Sequence, residues 1–258
     1  MGFDLDSITT SNRNLPPRIV LLGVEKIGKS TFAAGSCKPV FIPIKGEEGI
    51  DALSVPQFPV CGSAGDVEEC ITTLATTKHD YHTVVIDSTS ALEPIYWDEI
   101  CKKSGTTNIN QACGGYGAGF KQADNVWRQL LEALDYLRKN KNMASILIGH
   151  TNINRFDDPL GESYNKYDFA IHERTANILY RWADAIWFAN SKVIVQKEDV
   201  GYNKTHKIAR ELGKSSRVLY TQKNPSYPAG GRGIYGSLPA EVPLNWSAVM
   251  DCLKNKDI

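Results

Sequence analysis

The sequence predicts an α/β protein: a mostly parallel, twisted sheet flanked by helices, with an antiparallel extension toward the C-terminus. Three observations predict it. Five short apolar runs rich in Val and Ile (RIVLLG, PVFIPI, TVVID, ASILIGH and ADAIWFA) are continuous rather than alternating, as suits strands buried on both faces. Segments with helical spacing separate several of them. From about Ser191 the chain changes to short β-prone pieces, KVIVQKE and RVLYTQ, and then to the Pro/Gly-rich PSYPAGGRGIYGSLP.

In chain order, residues 1–15 form a polar N-terminal segment, residues 16–246 the core and residues 247–258 a tail. RIVLLG is the first strand, and a helix is expected to open over Lys29 to Gly35. After the second strand, DVEECITTLATT has apolar positions at helical spacing, and TVVID follows as the third strand. The clearest helix runs from about Lys121 to Asn140, where Val126, Leu130, Leu134 and Leu137 recur three or four residues apart and would cover the sheet. Two stretches fit neither helix nor strand, 103–120 and 151–170, and are expected as long loops of the kind that carry function. No internal repeat is visible.

Composition bounds the class. A chain of 258 residues that is 42% hydrophobic can bury a substantial core, and 29 Lys+Arg against 29 Asp+Glu exclude a protein coated in positive charge. The six cysteines form no C-x-x-C pair, which points to a reduced, cytoplasmic setting. No run approaches the roughly 18 apolar residues of a membrane span, so no membrane partner is expected.

The chemistry begins at LLGVEKIGKSTFAAG. Gly23, four residues, then Gly28-Lys29-Ser30-Thr31 between a strand and a helix is the spacing of a P-loop. Backbone N–H groups of Gly23, Val24, Glu25, Lys26, Ile27, Gly28, Lys29, Ser30 and Thr31 are expected to wrap phosphate, with glycine where a Cβ would obstruct it. Lys29 would reach the β- and γ-phosphates of ATP, and Ser30 would offer its hydroxyl to Mg²⁺. Asp87 ends the third strand and is placed to hold the magnesium shell; the plainer reading is a strand-end Asp capping a helix. Glu47, with Glu48 as fallback, follows the second strand on the same edge and is expected to act as base on water.

This order of parts resembles the RecA-like branch of P-loop ATPases. The combination of GEEGID, TVVIDSTSALEPIYWDEIC, GGYGAGFKQADNVWRQLLEALDYLR, ILIGHTNINRFDDP, RWADA and the closing GGRGIYGSLPAEVPL is similar to the phage-encoded ATP-binding proteins of the Sak type. Those are short RecA-like proteins associated with single-strand annealing recombination. The similarity spans roughly residues 16–246 and implies a RecA-like core and an ATPase. It further implies that His150 senses the γ-phosphate, and that 103–121 and 151–172 are DNA-binding loops. Single-stranded DNA needs cations and flat side chains. Tyr116, Phe120 and Lys121 serve in the first loop; Arg155, Phe156, Tyr164, Lys166, Tyr167, His172 and Arg174 serve in the second. The plainer reading of the aromatics is packing against the core. The expected partners are single-stranded DNA, a single-strand-binding protein, and further copies of the chain in a ring or filament. Where the family has a lysine this chain has Gly230-Gly231 before Arg232, which leaves Arg232, or Lys223, as the cation for a neighbouring subunit's phosphate. Two other readings remain: a regulatory nucleotide-binding module, and a small-molecule kinase, for which no arginine-rich lid is visible.

Overall fold

The central strand is also the most apolar. In the computed structural model, which describes residues 15–47, 49–159, 161–199, 205–211 and 217–254, β1 (Arg18–Gly23) is buried from Ile19 onward. There follow α1 (Lys29–Ala34), β2 (Pro39–Pro43), α2 (Ala64–Thr76), β3 (Thr83–Asp87), α3 (Thr89–Lys103) and α4 (Ala118–Asn140). The second half holds β4 (Ala144–Phe156), β5 (Tyr164–Phe169), α5 (Glu173–Trp182), β6 (Ala185–Ser191), β7 (Val193–Asp199) and β8 (Thr205–Glu211). It closes with β9 (Arg217–Tyr220), β10 (Gly230–Gly231), β11 (Glu241–Pro243) and α6 (Trp246–Lys254).

The sheet runs β11-β9-β6-β1-β4-β3-β2. Pairings from β2 through β6 are parallel, whereas β9 adds to β6 and β11 to β9 in antiparallel fashion. The expected mixed sheet with its antiparallel C-terminal extension is therefore what the chain forms. Among the described residues, strands β7 and β8 pair only with each other.

Both faces are covered, which explains the unbroken apolar runs. Val20, Leu22, Val84, Ile86 and Leu147 pack into one cluster with α2, α3, α4 and α5. Their alternate neighbours Ile19, Leu21, Val85, Ile146 and Ile148 pack into another, with α1, α6 and the fully buried Trp187. Successive strand side chains point to opposite faces, so a strand between two helical layers must be apolar at every position.

Three departures from the sequence expectations matter. Helices α3 and α5 were not singled out by spacing: α3 carries Pro94 inside it, and the polar Thr89 and Glu93 share its buried side with Leu92, Tyr96, Ile100 and Cys101. The stretch 103–120 contains the end of α3, a 3₁₀ turn at Ala112–Gly114 and the first turn of α4, so Phe120 and Lys121 are helical. The stretch 151–170 is mostly a β-hairpin, because β4 continues six residues beyond His150 and pairs with β5 from Thr151↔Phe169 to Phe156↔Tyr164. Polar strands of this kind escape a search for apolar runs.

Candidate nucleotide site

The turn joining β1 to α1 forms the base of the site. Gly28 stands at φ 107°, a conformation glycine takes without a Cβ penalty, and it leads into α1 with no side chain capping the helix. The first N–H groups of such a helix have no intrahelical acceptor, so those of Lys29, Ser30 and Thr31 suit an anion. Gly23 is also required by strand packing, because a Cβ there would lie 2.5 Å from the Ala189 carbonyl oxygen on β6.

Lys29 is 5% exposed. Its ammonium donates to the carbonyls of Gly23 and Val24, both at 2.9 Å, and lies 3.5 Å from His150 Nδ1. Burial pushes its pKa down to about 8, against the pull of Asp87, Glu47 and Glu25. Ser30 Oγ donates to Asp87 Oδ2 at 2.5 Å, and burial raises the Asp87 carboxyl above its usual range despite that bond.

The sheet register brings the remaining parts together. Gly23 lies opposite His150, and Pro43 opposite Asp87, so the ends of β1, β2, β3 and β4 converge on one edge. Glu47 Oε1 accepts from His150 Nε2 at 2.6 Å and from Ser88 Oγ at 2.9 Å. A carboxylate on Nε2 and an ammonium on Nδ1 place the imidazole proton on Nε2. Ser88 also caps α3 by accepting from the Ala91 N–H, and Ser90 Oγ accepts the His150 N–H at 3.0 Å. The first turn of α3 therefore holds the expected base and the expected sensor together.

Lys29, Ser30, Glu47, Asp87 and His150 line a cavity of about 540 Å³, to whose wall Leu53, Gly46 and Gly49 also contribute. The donor set fits a polyphosphate with a hard divalent cation: an ammonium, an uncapped turn, one hydroxyl and one strongly desolvated carboxylate. A second sizeable cavity, about 510 Å³ between α2 and α4, shares none of these residues.

The model of a family described as AAA domain matches residues 15–233. The chain belongs to the AAA domain family. That makes it a P-loop NTPase of the ATPase class. No curated protein sequence matches it. Among solved structures it is similar to the crystal structure of the RadB recombinase, at 13% identity and a TM-score of 0.41, over 80% of this chain and 81% of that one.

The other expected residues fall into three groups around this AAA-type site. Glu48 lies outside the described residues. Arg232 is not at this chain's phosphate cavity: it follows β10, which pairs with Ile186 and Ala185 at the start of β6, at the end of the sheet opposite to the P-loop. There its N–H bonds the Asp184 carbonyl at 2.8 Å and its guanidinium the Arg181 carbonyl. Lys223 is exposed between β9 and β10.

The third group is the expected DNA-binding set, and much of it already has protein partners. Phe120 and His172 stack on each other at 4.4 Å, and Tyr167 packs on Phe188. Arg155 pairs with Asp157, Lys166 with Asp168, and Arg174 with Asp124. Tyr116 is fully exposed, as is Lys121 in large part. On one face of the hairpin, Tyr164 packs on Phe156 and Lys166 lies 4.7 Å over the Phe156 ring. Sequence reasoning missed the bond from Ser88 to Glu47, and it missed Arg217, whose Nη1 lies 3.3 Å from the Cβ position of Gly28. Nothing local to Arg217 in the sequence signals that approach.

Proposed function

We propose that this AAA-type ATPase is a RecA-like protein that binds single-stranded DNA and promotes recombination by annealing or strand exchange, with ATP and Mg²⁺ at the P-loop. One observation supports the reading most: β4 is a single strand that carries His150 into the nucleotide site and Arg155 and Phe156 into the projecting hairpin. A change at the γ-phosphate thus has a covalent route to the hairpin.

In hydrolysis, Lys29 would turn from its two carbonyls to the phosphate oxygens, and Ser30 with Asp87 would hold the cation. Bound Mg²⁺ supplies neutralisation of the phosphate charge. Glu47 would take a proton from the attacking water; its Oε2 is free of the bonds that His150 and Ser88 make to Oε1. His150 links that carboxylate to Lys29, so loss of the γ-phosphate would be felt at the start of the hairpin.

The hairpin's face of Phe156, Tyr164 and Lys166 has the flat rings and cation that single strands require. A regulatory module that switches a protein partner is favoured by a different fact, the pairing of Arg155 and Lys166 with neighbouring carboxylates. Retention on oligonucleotides across a salt series separates the two readings. Binding that weakens steeply with salt and changes with ATP analogues, but not in Lys29→Ala, supports the DNA reading. Retention indifferent to both contradicts it.

A further inference from the structure

Two of the six cysteines, Cys61 and Cys70, meet in the apolar layer that α2 shares with the sheet, their sulfurs 3.7 Å apart. No C-x-x-C spacing announces this pair; the fold creates it. Residues 57–61 run beside β2, with Gln57 bridged to Phe41 and Cys61 to Ile44. The chain then turns at once into α2. The Gly62 and Ser63 N–H groups donate to Asp66 Oδ2 at 2.7 and 3.0 Å, and Ser63 Oγ accepts the Asp66 N–H at 3.2 Å. That capping box fixes the first turn of the helix, and Cys70 stands one turn further on. The Ala64 N–H is held as well, by Glu99 Oε1 at 2.6 Å. The two sulfurs therefore face each other across a short loop whose ends are already tied.

Cys61 is also wired to the nucleotide site. Its N–H donates to the Pro43 carbonyl at 2.8 Å, and its carbonyl accepts the Lys45 N–H at 2.9 Å. Between those residues, Ile44 donates its N–H to the Asp87 carbonyl at 2.8 Å and accepts the Glu47 N–H at 3.0 Å. A displacement of Cys61 is thus passed through backbone hydrogen bonds to the turn that carries Glu47. The bonds of Glu47 to His150 and Ser88, 2.6 and 2.9 Å, leave that turn little slack. Cys70 is 7% exposed against 1% for Cys61, so Cys70 is the sulfur that a small oxidant reaches first.

We infer that Cys61 and Cys70 are a redox modification site: hydrogen peroxide joins them in a disulfide, and the bond slows ATP hydrolysis by drawing the Glu47 turn out of place. The Cys70 thiol takes one oxygen as the peroxide O–O bond breaks, giving a sulfenic acid and one water. The Cys61 sulfur then attacks that of Cys70; the S–S bond forms, the S–O bond breaks and a second water leaves. Two thiols have lost two protons and two electrons, and one peroxide has become two waters. The sulfurs must close from contact to about 2.0 Å, and with α2 anchored by its cap it is the Cys61 side that gives. A thiol reductant reverses the step. The control of turnover rests on the reading of Glu47 as the base, whereas the crosslink itself does not.

The experiment treats the full chain, Cys70→Ser and Cys70→Ala with hydrogen peroxide. Disulfides are mapped by peptide mass spectrometry, and phosphate release from ATP is followed before treatment, after it and after dithiothreitol. The expected result is a Cys61–Cys70 crosslink, with turnover falling by about tenfold and returning on reduction. Both variants keep the exposed Cys37 and Cys113 and so report oxidation elsewhere; their turnover should survive peroxide. No crosslink between Cys61 and Cys70, a crosslink that leaves turnover unchanged, or the same loss in both variants would overturn the inference. A reduced chain that hydrolyses no ATP would instead remove Glu47 as the base, and the inferred control would fall with that reading.

Discussion

Lys29 sits where its charge is least welcome, and that has a measurable consequence. Its pKa of about 8 follows from burial among carbonyls, and a bound polyphosphate favours the charged form. Below pH 8 the ammonium is already protonated, and binding takes up no proton. Above it, each binding event must protonate Lys29, so ATP affinity is expected to fall by up to about tenfold per pH unit from pH 8 upward. Titrations in buffers of different ionisation heat read this as proton uptake near pH 9 and none near pH 7; a flat profile would contradict the account. Glu47 gives a second expectation: Glu47→Gln keeps an oxygen for His150 and Ser88 but cannot take a proton. Turnover should drop by about 10²–10⁴-fold with ATP binding nearly unchanged, as phosphate-release and binding assays would show. Lys29, Ser30 and Asp87 were legible because fixed spacing and strand ends specify them. The packing constraint on Gly23 was not, because the Ala189 carbonyl that crowds it belongs to a strand far along the chain. Arg217 was illegible for the same reason.

At the scale of elements, α3 and the hairpin carry the coupling. The first turn of α3 supplies Ser88 to Glu47 and Ser90 to the His150 N–H, and one turn on, the buried Glu93 accepts the His172 N–H at 2.8 Å. One helix therefore touches both the nucleotide end of β4 and the segment that leaves β5. Neither α3 nor the hairpin stood out in the sequence. Pro94 and scattered charges blur the helical stripe, and NINRF and YNKYD hold few apolar residues because they project from the sheet instead of lying in it. On the DNA reading, Phe156→Ala should weaken oligonucleotide binding by roughly 1–3 kcal/mol, the usual worth of a base stacked on a ring, without changing ATP affinity. Fluorescence anisotropy with a labelled oligonucleotide measures it, and unchanged binding would remove Phe156 from the interface.

Over the whole molecule, the stretch RWADA proves to be a clamp. Asp184 takes hydrogen bonds from Arg18 at 2.9 Å and from Arg138 at 3.0 Å, while Trp182 Nε1 and Arg18 both reach Asp135, so β1, α4 and the approach to β6 are joined at the sheet edge away from the nucleotide. Burial opposes the Asp184 charge, but the Arg18 guanidinium and then Arg138 hold its pKa below the usual value. Stability from a depressed carboxyl is present above its unfolded pKa of about 4 and is lost as pH falls through the folded value. Asp184→Asn should therefore cost roughly 3 kcal/mol near pH 7, and the gap from the unaltered chain should close below about pH 4, as denaturant unfolding at a series of pH values would show. The burial of β1, β3 and β4 on both faces, by contrast, was readable as continuous apolar runs, and with it a mostly parallel sheet covered by helices. The central claim is that phosphate chemistry at Lys29 and Glu47 is tied through His150 and β4 to a surface that holds single-stranded DNA. Its most direct test is ATP turnover with and without single-stranded DNA, beside Lys29→Ala. The account predicts DNA-stimulated turnover that disappears in the variant; turnover that DNA leaves unchanged would contradict it.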